Sequence, residues 1–188
     1  MGYKLAITGL AMVTGLAMVT CLFEACQPDK VKIDGVATGF SDGDTICLTT
    51  DLEHLKPIAV TTVSEGRFTL TSTPDSVSLC AVYPANQPTC MVTFFSEPGT
   101  VKIDMGRQAA ASRVAGTKLN DAWQALIDKT AVYGLNVNRL VNSATPSDTT
   151  LYSQVAELYE EMTGLIEETA RQNGDNALGK YIQEHWNK

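Results

Sequence analysis

At Gly116 the spacing of apolar residues changes. From residue 31 to residue 115 they alternate with polar residues, and beyond it they recur every three or four positions. A period of two lines one face of a strand and a period near 3.6 lines one face of a helix, so the chain reads as a block of strands followed by a block of helices. The expected fold class is α+β, with hairpin-connected strands and not a sheet of parallel crossovers.

The first block, residues 31–115, holds seven short segments rich in Val and Thr: 31–38, 44–50, 57–64, 67–72, 77–83, 90–95 and 100–105. Strands about ten residues apart, with turn formers between them, predict an antiparallel β-sandwich of about seven strands. Glu65-Gly66 fits a tight hairpin at positive φ, and Glu97-Pro98-Gly99-Thr100 fits a type II turn. Ile58 and Val60, then Phe68 and Leu70, alternate with threonines, which predicts one buried and one wet face. Ser41-Asp42-Gly43-Asp44 looks like a fragment of a calcium loop but lacks the downstream glutamate, so a plain turn is expected.

The second block, residues 116–188, predicts two to three α-helices. Thr117 is the N-cap of the first, whose stripe includes Leu119, Trp123, Leu126, Tyr133 and Val141. Residues 143–148 break it. Leu151, Leu158, Met162 and Leu165 mark a second helix closed by Asn173-Gly174, and Leu178, Ile182 and Trp186 mark a third. These stripes read as core packing, and Glu160-Glu161 and Glu167-Glu168 as a solvated face.

Residues 5–23 are uncharged and follow Lys4, the pattern of an export signal, with TGLAMV repeated at 8–13 and 14–19. The stretch is long enough to compete as a membrane-spanning helix, for which about 20 residues suffice. Its end decides the reading. Leu22-Phe23-Glu24-Ala25-Cys26 is similar to a bacterial lipobox, with Glu24 where a small residue is usual. That likeness implies a lipoprotein signal peptide over 1–25, acylation of Cys26, a polar tether over 26–30, and a body held at the membrane by an N-terminal lipid anchor in the bacterial cell envelope.

Cys47, Cys80 and Cys90 then remain. An oxidising compartment allows one bridge, and Cys80–Cys90 across a hairpin is the candidate, as a structural or a redox pair. Against it stands the reading of Cys47 and Cys80 as small buried hydrophobes. The chain has no Cys-x-x-Cys, HExxH, glycine-rich phosphate loop or G-x-S-x-G, so dithiol exchange, metal hydrolysis and nucleotide chemistry lose their usual signatures. His54, beside Asp51 and Glu53, and His185 read as surface or packing residues, and a triad assembled from distant residues stays open. With 14 Lys and Arg against 21 Asp and Glu, a net charge of -7, no nucleic-acid partner is expected. No catalytic residue, metal ligand or cofactor is assigned.

Four segments carry a family likeness: VKIDGVATGFSDGDTICL (31–48), VSEGRFTL (63–70), FFSEPGTVKID (94–104) and VAGTKLNDAW (114–123). The order resembles the domain-of-unknown-function family 4369, the last two segments being the more specific. Ser96 stands where the family usually has leucine. The family typically forms the N-terminal part of exported Bacteroidetes thiol-disulfide oxidoreductases with a thioredoxin-like domain. The resemblance therefore implies a sandwich followed by helices on an envelope lipoprotein. The catalytic Cys-x-x-Cys of those proteins is not in this sequence, so their activity does not transfer.

The expectation is a non-catalytic interaction or scaffold module, touching an unidentified envelope protein of a thiol-disulfide or peroxiredoxin-like system through sandwich edges or the loops 39–44 and 84–89. Two alternatives stay open: an enzyme, thiol-based through Cys80 and Cys90 or hydrolytic, and a lipoprotein binding a small ligand or glycan. The last is disfavoured because both tryptophans fall on predicted helices.

Overall fold

A computed structural model describes residues 30–145 and 149–186. Eight strands form β1 (Val31–Ala37), β2 (Thr45–Thr49), β3 (Ala59–Thr62), β4 (Arg67–Ser72), β5 (Leu79–Pro84), β6 (Val92–Phe95), β7 (Gly99–Met105) and β8 (Arg113–Ala115), and three helices follow as α1 (Lys118–Ser143), α2 (Leu151–Gln172) and α3 (Ala177–His185). The strands make two four-stranded sheets, ordered β4-β1-β7-β8 and β3-β2-β5-β6. All seven expected segments are strands, in the expected α+β sandwich. Among the described residues no helix is long and apolar enough to cross a membrane.

At β3 the apolar side is the wet one, Ile58 and Val60 being 57% and 61% exposed instead of buried, and three further details differ from the sequence reading. β1 and β7 run parallel, Val31 opposite Gly99 and Ala37 opposite Met105, because the chain passes from one sheet to the other at Glu97-Pro98-Gly99 and enters beside the start of β1. The Gly99 N–H donates to the Lys30 carbonyl at 3.0 Å with φ at +128°, so this segment is a bend that opens a strand instead of a closed type II turn. β8 is the third difference, being too short at three residues for alternation to reveal it.

The Ser64–Arg67 hairpin forms as expected, with φ of 52° at Glu65 and 69° at Gly66 and both backbone bonds between Ser64 and Arg67 closed. It sets the register of β4, whose buried Phe68 and Leu70 face inward. Opposite Phe68 lies Gly35 of β1, where a Cβ would stand 2.1 Å from the ring. Only a residue without a side chain lets the ring lie against the strand. The inter-sheet core also takes Ile33, Ile46, Val82, Phe94 and Val101, each at most 1% exposed.

The second sheet is covered on both faces. Cys80 to Tyr83 of β5 are all buried, because the loop after β2 packs over the outer face, where the Tyr83 hydroxyl donates to the Leu55 carbonyl, while α1 and α3 pack over Phe95. The Trp123 ring meets Phe95 and Tyr181 edge-on at 5.7 Å each and lies 5.9 Å from Trp186. Beyond this junction the helices leave the body. No residue is buried between Leu126 on α1 and Ile166 on α2 among those described, so the two helices form a hairpin arm packed chiefly on itself.

Candidate functional site

The start of α1 is built from the two segments the sequence singled out, and they meet. The Glu97 carboxylate accepts the Leu119 N–H at 2.7 Å, placing negative charge at the helix N-terminus, where free amides and the helix dipole favour it. Gly116, at φ +100°, lies so close to β7 that a Cβ would come within 2.6 Å of the Thr100 carbonyl oxygen. Its N–H donates to Asp121 at 3.0 Å. Thr117 is the N-cap by position, yet its hydroxyl oxygen accepts from the Asn120 amide at 2.8 Å instead of capping the helix.

Asn120 is wholly buried. Its carbonyl oxygen accepts the Phe95 N–H at 2.7 Å and its amide donates to the Phe95 carbonyl at 2.8 Å, so one side chain supplies both bonds that a neighbouring strand would give β6. The side-chain carbonyl of Gln124 takes the Val114 N–H of β8 at 2.8 Å. α1 thus seals the adjacent edges of both sheets, a standing hazard of open sheets. This arrangement is architectural and leaves no reactive group free.

Beside it opens a cleft of about 1090 Å³, between the loop 50–53, residues 76–79, the first turns of α1, and α3. Acidic groups outnumber cations on its wall: Asp51, Glu53, Glu97, Asp175 and Glu184 against Lys118 and Lys180. Several polar groups there are already engaged. Glu97 caps α1, and the Asp51 carboxylate accepts the His54 and Glu53 N–H groups and lies 3.2 Å from His54 Nδ1. These bonds, the His54 N–H first, hold the Asp51 carboxyl below its usual range. His185 stacks on Tyr181 at 4.5 Å, with Nδ1 against the Tyr181 carbonyl. Among the described residues no serine or cysteine bonds to either histidine, and no cluster of three or more His, Cys, Asp or Glu is spaced for a metal ion.

The two loops put forward as contact surfaces are neighbours at one end of the sandwich. Asn86 donates to Asp44 at 3.4 Å, and Arg107 links them by donating to the Gly39 carbonyl at 2.6 Å and to Gln87 at 3.4 Å, with its guanidinium 5.1 Å from the Phe40 ring centre. Ser41 to Asp44 form the plain turn expected, with the Asp44 carboxylate accepting the Ser41 N–H at 2.9 Å.

The proposed Cys80–Cys90 pair is corrected by the strand register. Cys80 stands opposite Phe94, and Val82 opposite Val92 is the final pair of the ladder. Cys90 precedes β6 in a 3-10 turn, Pro88–Cys90, four positions along from Phe94. Cys90 thus lies beyond the far end of the ladder from Cys80, and no bridge joins the two. Cys47, Cys80 and Cys90 are free and buried. Cys90 donates to the Arg107 carbonyl at 2.9 Å, and burial pushes the Cys80 thiol up, away from thiolate. Mass-mapped labelling with a thiol reagent is expected to leave these three residues unmodified in the folded protein and to modify all three in urea without reductant. Rapid labelling of Cys80 in the native state, or two protected thiols in urea, refutes the assignment.

Cys26 and the whole segment 1–29 lie outside the described residues. Sequence reasoning missed Asn120 and Arg107 as organising residues. The available signal for Asn120 was its polarity immediately after Leu119 and one turn before Trp123 on a core-facing stripe. Arg107 had none, since its partners come from loops distant in sequence.

A family model described as "Domain of unknown function (DUF4369)" matches residues 31–123. The match runs from the first strand to Trp123, so it takes in both sheets and Asn120 but not Gln124 or the arm. No curated protein matches the chain, and no solved structure matches it.

Proposed function

We propose, from the premise that residues 31–123 belong to the DUF4369 family, that this chain is a non-catalytic docking module of the bacterial cell envelope, held to the membrane through an acylated Cys26. The observation that carries the docking role is the α1–α2 arm. Val132, Leu135, Val141, Tyr152 and Tyr159 on it are each more than half exposed, an apolar display that isolated surface helices rarely keep without a partner. Tyr152 and Tyr159 lie seven residues apart, hence on one face of α2. The non-catalytic reading is supported by thiols that are buried and apart, and by two cleft carboxylates, Asp51 and Glu97, already engaged in turn formation and capping.

The test uses the full chain, cross-linked in its own membranes and purified in detergent. A specific envelope protein is expected to co-purify and to be lost from the Tyr152→Ala, Tyr159→Ala double variant, whose fold is intact by circular dichroism. Mass spectrometry is expected to find Cys26 N-terminal and acylated. Co-purification indifferent to both tyrosines refutes the docking role of the arm, and an unmodified N-terminus refutes the anchor.

A further inference from the structure

We propose that the outer face of α1 pairs with itself, so that two copies of this chain associate through antiparallel α1–α1 packing. The proposal rests on the reading of the arm as a docking element and names a second copy as the occupant of one of its faces.

Thr130, Tyr133 and Val137 of α1 line one groove with Leu158 and Met162 of α2. At 100° per residue, Asp128, Val132, Leu135 and Arg139 fall in a separate stripe on the side of α1 turned away from α2. Val132 is 54% and Leu135 64% exposed. Their spacing of four, three and four residues is that of a helix-pairing seam.

The stripe is self-complementary. A two-fold axis crossing α1 between Val132 and Leu135 sets Val132 of one copy against Leu135 of the other, and the same operation sets Asp128 against Arg139. The apolar contact and the ion pair then each occur twice, as an isologous interface requires. Asp128 is held by its own chain and still reaches solvent. Its carboxylate accepts from Gln124 at 2.9 Å and lies 3.6 Å from Arg113, yet its side chain is 48% exposed. A carboxylate has acceptor positions for a further guanidinium. Arg139 has no ion-pair partner among the described residues.

Charge also selects α1 over α2. The polar side of α2 carries Glu157, Glu160 and Glu161, so two α2 helices set together oppose like charges. Antiparallel α1 packing leaves Tyr152 and Tyr159 free for a different protein. A contact of about three helical turns falls below the ~1,200 Å² of standard stable interfaces, which makes this a dissociable dimer.

Sedimentation of the full chain in density-matched detergent tests the pairing over a range of concentrations. The wild type is expected to shift from monomer to dimer as concentration rises. Arg139→Asp and Asp128→Arg are each expected to weaken association about tenfold or more by opposing like charges. An equimolar mixture of the two is expected to recover it, because each charge then meets its opposite. Leu135→Asp, at an exposed position, removes the dimer with helix content unchanged and serves if Asp128→Arg disturbs Arg113. A chain monomeric at every concentration, or a dimer that survives Arg139→Asp and Leu135→Asp, overturns the proposal. Neither result touches the tyrosine-dependent co-purification, so the two readings fail separately.

Discussion

Trp123→Ala is expected to destabilise the protein by about 3–5 kcal/mol, the range for removing a large buried aromatic side chain. Trp123 is 4% exposed and touches three aromatic rings, from β6, α3 and Trp186 just after α3. Its indole N–H donates to the Thr93 carbonyl and hydroxyl at 3.3 Å each, so the ring is held by polar contacts as well as packing. Alanine leaves a void at the meeting point of strand, α1 and α3, where rigid backbone on every side limits collapse. Against a total stability of about 5–15 kcal/mol this is a large fraction. Urea unfolding followed by far-ultraviolet circular dichroism measures the loss. Trp123→Phe keeps the edge-on packing and loses the N–H bond, for which about 1–2 kcal/mol is expected. Equal effects of the two variants would show that packing around the indole contributes little.

The legible parts of this fold are those in which local chemistry and burial agree. β4 is predicted to the residue over 67–72, because a positive-φ pair fixes the hairpin and one face alone is buried. β5 is blurred at its start, expected at Val77 and found at Leu79, since a strand covered on both faces loses its alternation. Periodicity also reports that a face is apolar without saying what covers it. The stripe of α1 reads as core along its length, yet Val141 near its end is 53% exposed. For the cysteines, burial was legible at Cys47 and Cys80. The spatial relation of Cys80 to Cys90 was not, because it depends on a 3-10 turn that shifts the start of β6. The cleft beside α3 was illegible for the same kind of reason: it is assembled from loops and helix ends that no local pattern connects.

Asn120→Ala is expected to cost about 2–4 kcal/mol, although it removes only a small side chain. The Phe95 N–H and carbonyl both lose their partner in a site that water does not reach, and an unsatisfied buried backbone group costs about 1–3 kcal/mol. Asn120→Asp separates the two bonds. A carboxylate still accepts the Phe95 N–H but sets a buried negative charge against the Phe95 carbonyl, whereas the protonated acid donates to that carbonyl as the amide did. Burial and this bond favour the neutral form, so the carboxyl in the folded variant titrates above its unfolded value of about 3.9. Its contribution is fully present below that value and is lost as pH rises through the raised folded value. Relative to wild type, Asn120→Asp is therefore expected to be strongly destabilised at pH 7 and to recover much of the difference near pH 4, whereas Asn120→Ala shows no such recovery. Urea midpoints of the three proteins across that range decide the matter. A deficit in Asn120→Asp that is constant with pH would mean that the amide is not sealing the edge of β6.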